Sequence, residues 1–326
     1  IIGCLFYRTP IVMFDGAPDY PDSDRLWRTL ERLKVVTFCA SPTLVRLFMR
    51  VTEGKGPAGY DLSRLRVLGS TGEPWDETSY RWFFTNVGGG RCPIINISGG
   101  TELLGCLLSC TPLTPLRPSS LGAPALGMDV AIYSEAGEPV PRGTVGHLVC
   151  KQPSPSMTKS FLHDDARYVE TYFSRWPDVW YHGDWAREDE DGSWFVLGRS
   201  DDTIKVAGKR VGPSEVESVL TSHPAVSEAA TIGAPDELKG QVLVCFVVLK
   251  PGASVETADL IAHVAKQMGK PLAPKAVYVV TALPKTRSGK ILRGMILRVY
   301  AGQPAGDLTS VENPVSLEAI VALRPA

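Results

Sequence analysis

Two short turns join glycine to groups able to hold a nucleotide. Ser70-Thr71-Gly72-Glu73-Pro74 follows an apolar run, and glycine there lets the backbone approach a planar ligand closely. Gly99-Gly100-Thr101-Glu102 follows another, with a hydroxyl suited to phosphate and a carboxylate suited to a magnesium ion that keeps several of its waters. Tyr181-His182-Gly183-Asp184 sets an acid just past a glycine, where it could accept both hydroxyls of a ribose. Arg199 comes fifteen residues later and Arg210 eleven beyond that, so a carboxylate and two guanidiniums could converge on a nucleoside phosphate. Pro284-Lys285-Thr286-Arg287-Ser288-Gly289-Lys290 is a basic loop whose last residue could bring a compact positive charge to a reacting phosphate. Taken singly, each segment also reads as an ordinary turn or a solvated loop.

Positioning such groups requires a layered fold. Up to about Gly100, helical spacing (Leu26, Leu30, Leu33; Leu44, Val45, Leu47, Phe48, Val51) alternates with extended runs (Val35 to Cys39, Leu65 to Leu68, Ile94 to Ile97). This predicts a layered α/β subdomain over 1–111, whose parallel strands would present the Gly72 and Gly100 turns at their carboxyl ends. Short extended runs between Gly, Pro and Asp turns predict a β-rich subdomain over 112–200, with one helix from Ala166 to Phe173. A separate, small α+β domain is expected over 201–300. It contains a helix opening at Pro213, a long apolar strand from Val242 to Leu249 and a helix from Ala258 to Gln267. Residues 301–326, rich in Pro, Gly and small side chains, read as a weakly held tail.

The 326 residues carry 34 basic and 35 acidic side chains, which gives no electrostatic case for nucleic acid or an anionic membrane as partner. No membrane span is expected, and an oligomer is left open. Seven cysteines without a CxxC pair fit reduced core thiols, and no pair among the five histidines has metal-ligand spacing. The expected location is therefore intracellular: the cytoplasm, or the mitochondrial matrix of a eukaryote if a transit peptide precedes the chain. The opening on Ile1, without Met, reads as an incomplete polypeptide.

In order and spacing, these segments resemble the adenylate-forming superfamily, and especially AMP-forming acyl-CoA synthetases of the acetyl-CoA synthetase type. The resemblance runs from near Phe14-Asp15-Gly16 to about Leu308. It includes Leu68 to Pro74, Glu188-Asp189-Glu190-Asp191-Gly192, Gly198-Arg199-Ser200-Asp201-Asp202 and Pro284 to Lys290. It implies ATP, Mg2+ and coenzyme A as cofactors and a small carboxylic acid as substrate. Gly72, Glu73 and Pro74 would line the adenine pocket, Thr101 would contact phosphate, and Glu102 would hold magnesium. Asp184 and Arg199 would bind ribose, Arg210 phosphate, and Lys290 would be the catalytic lysine. Asp201 would be the hinge about which the C-terminal domain swings, bringing Gly208 to the pantetheine tunnel.

Three departures qualify the resemblance. Gly99 stands where acetate-specific members carry a tryptophan, so with Thr71 it is expected to open a slot for an acid larger than acetate. No Ser/Thr/Gly-rich loop ending in Gly-Lys-Pro-Lys is present, so the chain is expected to be inactive alone. Ala265 falls where a coenzyme A-binding arginine often stands, with Lys266 and Lys270 nearby. This keeps two alternatives to an acyl-CoA ligase: an adenylation module that loads a carrier protein, and an inactive fragment.

Overall fold

The computed structural model describes residues 2–200, 202–206, 209–236, 240–286, 289–309 and 311–324, and for Ile2, Lys209 and Arg210 the backbone only. Asp201 and Gly208 therefore lie outside the described residues.

The chain starts with α1 (Ile2–Phe6) and α2 (Arg25–Arg32), then alternates strand and helix: β1 (Thr37–Cys39), α3 (Pro42–Val51), β2 (Val67–Ser70), α4 (Glu77–Trp82) and β3 (Ile94–Ser98). The α3 helix forms where it does because Ser41 caps it, accepting from the Leu44 amide at 3.2 Å, and Pro42 supplies a preset first turn. Its Val45 and Phe48 are buried, with Phe48 4.6 Å from the ring of Trp27 in α2. The first three strands are parallel, with Cys39 opposite Gly69 and Ser70 opposite Asn96. Two short strands, β4 (Leu108–Ser109) and β5 (Ala123–Pro124), extend the sheet antiparallel. The parallel strands thus deliver the Gly72 and Gly100 turns to one edge, the carboxyl edge expected from the sequence.

A second, antiparallel sheet contains β6 (Val130–Tyr133), β7 (Gly146–Cys150), β8 (Trp180–Glu188) and β9 (Trp194–Arg199) in that order. Between β7 and β8, Asp164 caps α5 (Asp165–Phe173), accepting from the Arg167 amide at 3.1 Å. This helix lays Tyr168 and Tyr172 on the buried Trp180, the Tyr172 ring stacked at 4.0 Å.

The third sheet comprises β10 (Ile204–Val206), β11 (Lys209–Val211), β12 (Val226–Asp236), β13 (Gly240–Leu249) and β14 (Ala276–Val279). Two helices on one face, α6 (Pro213–Thr221) and α7 (Thr257–Met268), cover Leu243, Cys245 and Val247 of β13. The other face is covered by α8 (Arg293–Tyr300) and α9 (Val315–Val321), against Val242, Val244 and Phe246. Burial on both faces explains why β13 reads as an unbroken apolar run although its side chains alternate. Buried Glu217 of α6 accepts from the Thr231 amide at 2.8 Å and from half-buried Arg293 Nε at 2.7 Å, forming an ion pair that links α6 to the start of α8.

One expectation is corrected here. The segment read as a weakly held tail contains α9, with Leu317 5% and Ile320 0% exposed in the core under β13. Seven residues are too few for helical periodicity to stand out beside a Pro- and Gly-rich linker. Among the described residues no helix is long and apolar enough to cross a membrane. All seven cysteines are free, and Cys92, Cys110, Cys150 and Cys245 are buried.

Candidate active site

At Gly183 the β8 backbone takes a φ of 81°, and a Cβ there would stand 2.6 Å from Arg199 Nη2. Only glycine lets the guanidinium lie against this turn. The next residue, Asp184, is the register partner of Arg199 across β8 and β9. Arg199 Nη1 donates to the His182 carbonyl at 2.8 Å and lies 3.6 Å from Asp184 Oδ1. Asp184 is buried, and its other oxygen is 3.6 Å from His182 Nε2. The Trp180 indole donates to His182 Nδ1 at 3.3 Å, which leaves the proton of a neutral ring on Nε2, facing the carboxylate.

Glu102 reaches the same cluster from the first sheet. It lies in the single 3₁₀ turn Thr101–Leu103 that follows β3. A Cβ on Gly100 would meet His182 Cε1 at 3.1 Å and Glu102 Oε2 at 3.2 Å, so imidazole and carboxylate flank this glycine. The Tyr172 hydroxyl lies near the Glu102 carboxylate. Burial, reinforced by that carboxylate, pushes the Tyr172 hydroxyl up to about 12. Thr101 is exposed beside them. Among the described residues no three His, Cys, Asp or Glu side chains gather as a metal cage. A single carboxylate with open surroundings nevertheless fits a magnesium ion held otherwise by water and phosphate.

A second group forms at the end of β2. Glu73 accepts from the Thr43 hydroxyl and from Arg46 Nη2 at 2.8 Å, while Arg46 Nη1 reaches Asp76 at 3.0 Å. The Trp75 indole donates to Ser70 Oγ at 3.0 Å and fastens the turn to its strand. Thr71 and Gly72 are exposed, and Pro74 is half-buried. The loop ending at Lys290 lies against this group: a Cβ on Gly289 would stand 3.1 Å from Thr43 Cγ2. Lys290 is exposed, its amide donating to Thr286 Oγ1 at 3.1 Å. Thr43 is thus common to the Glu73 turn and the Lys290 loop, although about 215 residues separate these two segments in sequence.

Asp184, Arg199 and Glu102 therefore form one cluster, and Glu73 and the Lys290 loop another, joined through the paired ends of β2 and β3. Arg210 lies in β11 opposite Lys205, with its side chain outside the described residues. At Gly99 the slot expected from the sequence is filled along the Cβ direction. A Cβ there would stand 2.3 Å from the Gly105 carbonyl oxygen and 3.0 Å from Cys106 Cα, because the 104–106 turn folds back on the strand end. Three neighbours were not singled out by sequence reasoning: Tyr172, Thr43 and Arg46. The apolar faces of α3 and α5 dominate their periodicity, and nothing in the spacing reveals which polar residue faces the sheet edge.

The chain was also compared with known proteins. Residues 1–162 match the family described as AMP-binding enzyme, and residues 215–290 match the AMP-binding enzyme C-terminal domain. The acetyl-coenzyme A synthetase of Pyrobaculum arsenaticum is 42% identical over 324 residues, covering 98% of this chain and 48% of that protein. That of Methanothrix thermoacetophila is 42% identical over 328 residues, 98% of this chain and 50% of that protein. Among solved structures, acetoacetyl-CoA synthetase from Streptomyces lividans superposes with a TM-score of 0.82 at 31% identity, over 97% of this chain and 49% of that one. An anthranilate CoA ligase bound to anthranoyl-AMP gives 0.75 at 30% identity, over 88% and 53%. The chain spans about half the length of the curated relatives it matches.

Proposed function

Because the chain belongs to the AMP-binding enzyme family, in its acetyl-CoA synthetase branch, we propose that it serves an ATP-dependent acyl-CoA ligase. The reaction joins a carboxylate to the α-phosphate of ATP with loss of pyrophosphate, and the thiol of coenzyme A then displaces AMP from the acyl-adenylate. The observation that carries this reading is the convergence of Glu102, Asp184 and Arg199 on one layer from two different sheets. A buried carboxylate beside a guanidinium suits a ribose and its phosphate.

The roles follow from position and chemistry. Gly72, Glu73 and Pro74 border the adenine, with Arg46 and Thr43 holding Glu73 still. Asp184 and Arg199 take the ribose, Arg210 and Thr101 the phosphates, and Glu102 the magnesium ion, which neutralises phosphate charge when bound. Lys290 lies in the exposed loop beside the Glu73 turn, where its ammonium would stabilise the negative charge that grows on the phosphorus oxygens as the carboxylate attacks. Asp201 is the proposed hinge and Gly208 the proposed gate for the second step. The domain limits expected above, 1–111, 112–200 and 201–300, are part of the same proposal.

For the acid, the proposal is a carboxylate larger than acetate, with Thr71 at the wall of its site. It rests on the absence of an indole at Gly99 alone, since the Gly105 carbonyl fills the adjoining space. Pyrophosphate release by the full-length gene product, over acids from acetate to octanoate and benzoate, tests both parts. Lys290→Ala is expected to lower release by about a hundredfold or more. Release with no acid would sink the ligase reading, and preference for acetate would sink the size assignment. Transfer to coenzyme A against transfer to a phosphopantetheinyl carrier protein decides the acceptor, which Ala265 in α7 leaves to measurement.

A further inference from the structure

The Lys290 loop is held by a segment that the proposed reaction leaves unused. At its base, Lys285 bridges Ile291 antiparallel, the Thr286 amide donates to the Lys290 carbonyl at 2.9 Å, and the Gly289 amide donates to the Thr286 carbonyl at 2.8 Å. Residues 311–313 lie along the outside of this base as a third, short strand. Val311 bridges Thr286, and the Glu312 amide donates to the Lys285 carbonyl at 2.9 Å. Asn313 then replaces backbone with side chain: its Oδ1 accepts from the Lys285 amide at 3.3 Å, and its Nδ2 donates to the Leu283 carbonyl at 3.1 Å.

Only one orientation of the Asn313 amide serves both partners, because one needs an acceptor and the other a donor. The segment is anchored on its far side as well. The Asn313 carbonyl accepts from the Ser316 amide at 3.0 Å and the Ser316 hydroxyl at 2.6 Å, which starts α9, and Leu317 and Ile320 of α9 are buried under β13. Opposite the strap, the Lys285 ammonium pairs with Glu228 at 2.5 Å. The strand leading to Lys290 is thus held through its backbone by Ile291 and the strap, and through the Lys285 side chain by Glu228.

We propose that Asn313 is a positioning residue for Lys290, the 311–313 strap acting as a splint that sets the height of the loop over the Glu73 turn. The proposal rests on the role given to Lys290 above. Asn313→Asp keeps the shape and the acceptor but loses the donor and turns a carboxylate toward the Leu283 carbonyl. Asn313→Ala removes both bonds. A misplaced charge should slow adenylation without weakening ATP binding, so kcat for acid-dependent ATP–pyrophosphate exchange should fall about tenfold, with KM for ATP within about twofold of the parent. Thioester formation from supplied acyl-adenylate should be unchanged, as should all readouts in the exposed α9 variant Glu318→Gln.

Deuterium exchange provides a measurement independent of activity. In Asn313→Ala, amides of the 285–290 loop should exchange at least about tenfold faster while those of β12 and β13 keep the parent rate. An unchanged loop overturns the proposal. So does a faster loop with unchanged kcat, or an equal fall in both half-reactions, since that is general destabilisation. A parent protein that exchanges no pyrophosphate overturns the function proposed above instead, and the amide rates alone then decide whether Asn313 holds the loop.

Discussion

Glycine decides two of the closest approaches in the site, for different reasons. At Gly183 both the positive φ and the Arg199 guanidinium exclude a side chain. At Gly99 φ lies outside the left-handed region, and it is the Gly105 carbonyl that excludes one. Gly99→Ala should therefore destabilise the fold by about 1–3 kcal/mol through overpacking, read as a lower denaturant midpoint at constant m. A midpoint equal to the parent's would mean that the 104–106 turn yields freely. The glycine-bearing turns were legible in sequence because their chemistry is local. The contacts that make Gly99 and Gly183 obligatory were not, since Gly105 and Arg199 approach only through tertiary folding. Asp184 and Arg199 were paired from spacing, and the β8–β9 register sets them opposite each other; the approach of His182 to Asp184 was not legible.

At the level of elements, the Glu217–Arg293 pair does what no single helix can, tying α6 to α8 beside the sheet they pack on. Glu217 is buried and Arg293 half-buried, and Glu217 also satisfies the Thr231 amide. Removing one partner leaves an uncompensated charge, so Glu217→Ala should cost roughly 3–5 kcal/mol by chemical denaturation. The double variant Glu217→Leu with Arg293→Met should recover part of that loss. If Glu217→Ala costs under about 1 kcal/mol, water reaches the guanidinium and the pair is not a structural tie. Elements with strong signals were readable: the Pro213 helix start, the apolar run of β13 and the capped α5. The α8 helix was hidden although Met295, Ile296, Val299 and Tyr300 have helical spacing, because it follows directly on the conspicuous basic loop.

Across the whole molecule, burial holds several weak acids in their protonated form. The Cys245 thiol and Tyr172 hydroxyl are each pushed up to about 12, and burial raises Tyr80 and Tyr300 further still. In the unfolded chain these groups release protons at their ordinary values, near 9.0 for the thiol and 10.0 for the phenols. The native state then binds more protons than the unfolded one, so stability is complete below about pH 9 and falls as pH rises toward 12. Melting temperature against pH should show this decline, and Tyr172→Phe should make it shallower above pH 10. A flat profile to pH 12 would mean that these groups are solvated in the native state. The three-sheet architecture was legible from texture alone, whereas the meeting of Thr43 with the Gly289 loop depends on how the sheets pack. The carbonyl that stands where a Cβ at position 99 would go also makes that position and the 104–106 turn a single unit of change: any side chain placed at 99 requires residues 104–106 to withdraw with it.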